Sequence, residues 1–478
     1  MKKEFAYNIF FLLIINLLIK PFYIFGIETK VQNITGPEAY GLYFSLFGLV
    51  FLHQFINDPG VQNFNTIFVA QNREQFAHHF PRLMGLKLFL LALLLGVSLF
   101  SAWIIGHDGI ALVYLIGIAL TLWLSTLFVL FRSMLSGMGS YRTDTWLSAM
   151  DRLLLIVVLG GMLLLGYQFT IEIFIWVQVI CYTLCVIWAG YYLIQHGARL
   201  KPVFDWTYSQ KFVLSCLPYA IIILLTGVVM RADGVLIERL LPDGKYQAGV
   251  YSAGYRFLDA ANMFGYIFGA LLLPMFSRLM AEKEDTQEVF SVAYRILFVM
   301  SLMIGGAFYF YADDVFAIFY GDAYAAGIPT MRLLILAVIP AAITNVFGPL
   351  ILASRNIRQY NLLYLSAVIV YVGANFILIP QYGNIAAAGV AVFTWTYILA
   401  GMIYICSSNG LIKSDTSILI KSIAAGLSIY AIFWVFDILF AFNWLIELAL
   451  IGIVVVLLLY VSKYIDLKEI LHAARGKE

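Results

Sequence analysis

At 478 residues, 63% hydrophobic and only 12% charged, the chain carries far more apolar surface than a water-soluble domain, which runs at about 45–50% apolar and about 25% charged. Its formal net charge of +2 gives no global basis for binding nucleic acid or an acidic partner. The apolar residues gather in runs of about 20 or more, long enough to cross a hydrocarbon core of about 30 Å; they lack the short alternating pattern of a β-barrel.

In chain order these runs predict helices over 5–27, 40–68, 83–105, 110–134, 145–166, 171–194, 212–238, 249–277, 291–310, 328–353, 360–380, 385–406, 417–437 and 443–462. The fold class is therefore an all-α polytopic membrane protein of about fourteen transmembrane helices. Met1-Lys2-Lys3 resembles the start of a signal peptide, but no small-residue cleavage site follows Phe5 to Ile27, so the run reads as a retained first helix. Helix seven is the least regular, with Arg231, Asp233, Glu238 and Arg239 toward its end. The longest connections, around Gln195–Lys211 and Met280–Phe290, are too short to fold into soluble domains. The first holds His196, Gly197 and Pro202 and marks a boundary: a six-helix bundle over 1–196, a cytoplasmic linker over 197–210, a second six-helix bundle over 211–408, and two further helices with a tail over 409–478. Cys181, Cys185, Cys216 and Cys406 lie in apolar segments without metal-ligand spacing, which suits packing. Gly41-Leu42-Tyr43 and Gly249-Val250-Tyr251, each opening a helix from the same side, form a short internal echo of the kind that repeated transporter halves leave.

Lysine and arginine set the orientation. The side of the N-terminus, of the connections after even-numbered helices and of the C-terminus holds Lys2, Lys3, Arg73, Arg82, Lys87, Arg132, Arg142, Arg199, Lys201, Lys211, Arg278, Lys283, Arg295, Arg355, Arg358, Lys413, Lys421, Lys463, Lys468, Arg475 and Lys477. The other side holds Lys30, Arg239 and Lys245. Both termini are thus expected in the cytoplasm, and the segment Asp313–Asp322 on the outer side.

Four stretches carry a resemblance to a known family. They are Thr35-Gly36-Pro37-Glu38-Ala39-Tyr40-Gly41-Leu42-Tyr43 followed by Asn57-Asp58-Pro59-Gly60; Arg231-Ala232-Asp233-Gly234-Val235-Leu236-Ile237 followed by Ala248-Gly249-Val250-Tyr251-Ser252-Ala253-Gly254-Tyr255-Arg256; Gly321-Asp322-Ala323-Tyr324 leading into Pro329-Thr330-Met331-Arg332-Leu333-Leu334; and Gly383-Asn384-Ile385-Ala386-Ala387-Ala388-Gly389-Val390-Ala391. In this order, over most of the chain, they resemble the Wzx-type oligosaccharide flippases, within the MOP superfamily that also holds lipid II flippases and multidrug (MATE) extruders. Pro59 replaces the family's usual leucine, and Gly234 stands where an arginine is usual. The resemblance implies two six-helix bundles facing a central cleft, two C-terminal helices outside them, and alternating access. It also implies a bacterial inner-membrane flippase for a polyprenyl-pyrophosphate-linked oligosaccharide of the undecaprenyl type, serving O-antigen, capsule or exopolysaccharide synthesis.

Ionisable side chains at membrane depth cost about 2.5–3.5 kcal/mol each and point to function. Here they are Lys20, Asp58, Asp151, Arg152, Arg231, Asp233, Arg256, Asp259 and Arg332. A pyrophosphate in low dielectric needs fixed cations, and guanidinium matches its oxygens. Lys20, Arg152, Arg231 and Arg256 are accordingly the candidate cargo-binding residues. Asp58 and Asp259 are the candidates for coupling to H+ or Na+. Local explanations stand beside these: Arg256 and Asp259 are three apart on one helix face and suited to neutralise each other, Lys20 can snorkel to the interface, and Arg332 can anchor a helix start. His53, His78, His79 and His107 have no second ligand at metal spacing. No catalytic residues, metal or cofactor are expected.

A membrane-embedded polymerase or glycosyltransferase is the rival from another class, but no sizeable loop carries catalytic carboxylates. Among transporters, a multidrug or lipid II exporter remains open. The chain has no ATP-binding loop of the Gly-x-x-x-x-Gly-Lys-Ser/Thr kind.

Overall fold

The computed structural model describes residues 18–60, 76–198, 201–412, 416–440, 443–462 and 464. Met1-Lys2-Lys3, the first half of helix one, the end of helix two and Lys2, Lys3, Arg73, Arg199, Lys413, Lys463, Lys468, Arg475 and Lys477 of the charge count lie outside the described residues. All regular structure among the described residues is helical: a π turn Tyr23–Glu28, then α1 (Thr29–Leu52), α2 (Gln54–Asn57), α3 (Phe76–Ile105), α4 (Ile110–Gly137), α5 (Tyr141–Leu164), α6 (Ile171–Gln195), α7 (Trp206–Leu240), α8 (Gly244–Ala281), α9 (Gln287–Phe310), α10 (Ala312–Phe319), a 3-10 turn Asp322–Gly327, α11 (Ile328–Ile335), α12 (Val338–Ala353), α13 (Ile357–Ser408), α14 (Thr416–Leu439) and α15 (Trp444–Val461). Eleven stretches within these helices are long and apolar enough to cross a membrane. The chain is an all-α, multi-pass membrane protein.

Two glycines turn the chain where only one residue leaves helical geometry. Gly383, at φ 60° and ψ −142°, divides α13 into two arms that match the expected helices eleven and twelve. Gly36, at φ 80° and ψ 164°, with Pro37 behind it, breaks α1 in the same way. Left-handed φ is accessible to glycine at little cost, and proline fits the first turn of the helix that follows. Thr35–Tyr43 is therefore not a loop: the first helix runs on past its expected end at 27, and the second starts directly after the turn. The seventh helix, whose charged end made it least regular in sequence, is present as α7. Two features differ from expectation. The expected helix over 328–353 is interrupted between α11 and α12, and Asp313-Asp314 opens a short helix, α10, rather than a loop.

The chain divides into two compact units, Met1–Gly249 and Val250–Glu478. The division falls inside α8, later along the chain than the 197–210 connection. Within the first unit, α1 packs closely on α7 and on the start of α8. A Cβ on Gly41 would strike the Lys245 carbonyl and stand 2.5 Å from the Gly249 nitrogen, and one on Gly249 would strike the Pro37 carbonyl. The two glycines of the sequence echo thus allow their helix backbones to touch, as small residues do between membrane helices. Gln32 spans the same seam, donating to the Gly249 carbonyl at 3.4 Å.

Within the second unit, α14 and α15 dock through α9 and α10. Phe310 stacks on Phe433 at 5.6 Å, and the buried Tyr311 hydroxyl donates to Glu447 Oε2 at 2.7 Å. Burial and the Glu447 carboxylate push the Tyr311 phenol well above its ordinary range, so its proton stays in place as the donor. All four cysteines are free and buried, in keeping with packing.

Candidate functional site

The first unit gathers several of the sequence candidates. Immediately after Lys20, the π turn Tyr23–Glu28 rotates the helix by the extra residue each such turn inserts, and turns of this kind recur at functional sites. It places the Tyr23 ring under the Arg152 guanidinium, 4.9 Å from its centroid. Arg152 Nε lies 3.7 Å from Asp151 Oδ2, and Tyr182 on α6 reaches that carboxylate oxygen at 3.5 Å. Half-buried Lys20 has Arg152, Asp151 and Arg132 as charged neighbours. Arg132 is engaged by Asp144, Nε to Oδ1 2.8 Å. Two cations, Lys20 and Arg152, thus share Asp151. Buried Glu28 is a further charged neighbour of Arg152, so the cluster gathers two cations and two carboxylates, and its guanidinium is chemically suited to an anion that takes a carboxylate's place.

The other candidates stand elsewhere. Arg231 lies over two rings of α1, 5.7 Å from the Phe47 centroid and 5.6 Å from that of Phe51, a cation–π arrangement that offsets part of its desolvation. Arg256 and Asp259 are half-buried on one face of α8. Arg332 pairs with Asp313 at 2.5 Å and donates to the Tyr309 carbonyl at 3.3 Å, the local anchoring open to it from sequence.

Asp58 sits at the end of α2, where its Oδ1 accepts from the Gly60 amide at 3.2 Å. Beside it is a residue that the sequence assigned to a cytoplasmic flank. Lys87 is fully buried in α3; its Nζ donates to the Asn57 carbonyl at 2.7 Å, with Asp58 as its charged neighbour. The backbone carbonyl of Lys87 accepts from Trp123 Nε1 at 3.0 Å, and the Asn57 side chain joins Thr126 and the Leu122 carbonyl. The signal was available: Lys87 lies within the apolar run Leu86–Leu95, inside the predicted third helix.

A second polar site missed in sequence joins the α3–α4 turn to the end of α7. Buried His107 Nε2 lies 3.7 Å from buried Glu238 Oε2, which Arg239 Nε contacts at 2.7 Å. Burial, reinforced by Arg239 and Lys245 against the weaker pull of Asp108, pushes the His107 imidazole down to about 4. In the second unit α13 buries Tyr371, Asn375 and Thr394. No cluster of three His, Cys, Asp or Glu side chains suited to a metal occurs among the described residues.

The polysaccharide biosynthesis protein family matches residues 5–280. The chain belongs to that family. No curated protein sequence matches it. Among solved structures, the lipid II flippase MurJ in an inward closed conformation aligns over 98% of this chain and 99% of its own, at TM-score 0.66 and 14% identity. An inward-facing multidrug-resistance MATE transporter aligns over 81% of this chain and 94% of its own, at 0.63 and 14%. A MOP-superfamily transporter from Pyrococcus furiosus aligns over 84% and 92%, at 0.57 and 14%. The family member described here therefore shares the fold of these transporters.

Proposed function

We propose that this protein is a flippase, not an enzyme, that carries polyprenyl-pyrophosphate-linked oligosaccharide across the bacterial inner membrane for surface polysaccharide synthesis. The observation that carries the reading is the Lys20–Arg152 pair facing Asp151, with the Tyr23 ring under Arg152 and the Tyr182 hydroxyl on Asp151. A pyrophosphate would engage these two cations in place of their carboxylates. Arg231 and Arg256 are assigned to the same anion at other stages of transport, with the cargo exposed alternately to the two sides. Asp58 and Asp259 are the proposed carboxylates for coupling to H+ or Na+. The termini are assigned to the cytoplasm from the lysine and arginine bias.

Loss of the protein should leave lipid-linked oligosaccharide accumulating on the cytoplasmic leaflet, with surface polysaccharide absent. Complete single repeat units that still reach the periplasm and only fail to polymerise would establish the polymerase reading instead. A cysteine at Asp322 should react with an impermeant thiol reagent from outside; labelling only after membrane disruption would reverse the orientation.

A further inference from the structure

A groove of about 620 Å³ runs along the first unit between α5 and α6, and its lining includes none of Lys20, Asp151 and Arg152. Along α5 it extends from Arg142 to Val157, about 22 Å at 1.5 Å per residue. Between those ends the wall is apolar, and Trp146, Leu153 and Val157 are all exposed on it. Trp188 and Tyr192 of α6 complete the end near Arg142. Aromatic rings of this kind mark the boundary between hydrocarbon and head groups. One end is therefore interfacial, and the rest lies at hydrocarbon depth.

Arg142 makes no ion pair or hydrogen bond among the described residues. The nearby Asp144 is already taken by Arg132 at 2.8 Å. An exposed, uncommitted guanidinium at the mouth of an apolar groove complements a phosphodiester attached to a chain, and basic pockets between membrane helices select anionic lipids in this way.

We propose that this groove is a binding site for one anionic glycerophospholipid, its phosphate on Arg142 and one acyl chain laid along Trp146, Leu153 and Val157. The length fits a single chain descending from the head-group level, in a core whose half-thickness is about 15 Å. Binding here is independent of the cargo reading, because none of these residues belongs to the Lys20–Arg152 cluster. The head group gives selectivity and the chain gives most of the affinity.

The test uses the full-length protein, stripped of lipid by detergent exchange and titrated with phosphatidylglycerol or phosphatidylethanolamine, with retained lipid counted by native mass spectrometry. One phosphatidylglycerol should be retained with at least fivefold preference. Arg142→Gln should remove the preference; Arg142 is exposed, so that variant probes the head group and not the fold. Val157→Trp, which fills the far end, should reduce retention of both lipids and leave the preference intact, while Lys201→Gln should change neither. An unchanged preference in Arg142→Gln would overturn the site. Displacement of phosphatidylglycerol by an equal concentration of polyprenyl phosphate would also overturn it, by assigning the groove to an isoprenoid chain.

Discussion

Replacing Lys87 by methionine keeps most of the stem and deletes the ammonium from a fully buried position. In the native chain that ammonium donates to the Asn57 carbonyl at 2.7 Å and faces Asp58. Removing a hydrogen bond from a charged donor typically costs about 1.5–3 kcal/mol, and here it also takes from Asp58 its cationic neighbour. For a unit of roughly 250 residues each kcal/mol shifts the midpoint by about 2–4 °C, so Lys87→Met should lower it by about 3–12 °C. Asp58→Asn on the same background removes the carboxylate that the ammonium faced and should recover part of the loss, giving a coupling of at least about 0.5 kcal/mol in the double-mutant cycle. The assay is thermal unfolding in nanodiscs followed by tryptophan fluorescence, to which Trp123, bonded to the Lys87 carbonyl, contributes directly. If Lys87→Met melts with the native protein, or if the double variant is no more stable than the single one, the buried ammonium is not what holds α2 against α3.

Gly41→Ala should separate α1 from α8, since the added Cβ strikes the Lys245 carbonyl; a loss of about 1–3 kcal/mol, the usual range for overpacking, would appear as a lower melting temperature, and Gly96→Ala, with open space around it, is the control. His107 is held near 4 against an ordinary 6.5, so the unfolded chain takes up its proton first and stability falls as pH drops from 6.5 toward 4; His107→Gln should flatten that part of the melting-temperature profile. Tyr311→Phe deletes the donor to Glu447 at 2.7 Å and should cost about 1.5–3 kcal/mol, the range for hydrogen bonds to charged groups, seen as faster amide exchange in α15. Arg152→Gln should abolish stabilisation by polyprenyl pyrophosphate, about 2.7 kcal/mol at a hundredfold excess over Kd for the native protein, read as the rise in melting temperature on adding that lipid to each variant.

Helix positions were legible because hydrocarbon leaves the backbone no other partner than itself, so apolar length alone locates a span. The turns were harder to read. Gly36-Pro37 reads as an ordinary loop signal, and nothing in the residues says that one left-handed glycine reverses the chain while helix continues on both sides. The glycines of the Gly-x-Tyr echo were visible, but their mutual contact was not: it depends on which helices are neighbours, and periodicity along one chain does not encode that. The candidate site was legible in its composition and not in its compensation. Lys20 and Arg152 stand 132 positions apart in the numbering, and their meeting at Asp151, like that of Tyr23 with Arg152, depends on which helices are neighbours. Lys87 was misplaced for a related reason. Counting cations by their nearest helix end assumes that a lysine close to an end reaches water, and here Asn57 and Asp58 meet it first.

Compensation also separates cations that hold the fold from those left for a ligand. Arg132 has Asp144, Arg332 has Asp313 and Lys87 has the Asn57 carbonyl with Asp58 beside it. Each is a local balance, and removing one side strands the other. Lys20 and Arg152 are balanced differently: Asp151 faces both, buried Glu28 stands beside Arg152, and the Tyr23 ring lies under the guanidinium, so the charge is shared among four side chains and not settled in single pairs. Ionisable side chains at membrane depth cost about 2.5–3.5 kcal/mol each, which makes such a group of four expensive to keep for packing alone. A shared balance can be re-formed around an added anion, because Asp151 also has the Tyr182 hydroxyl. That is the property required of a site that must bind a pyrophosphate on one side of a membrane and release it on the other.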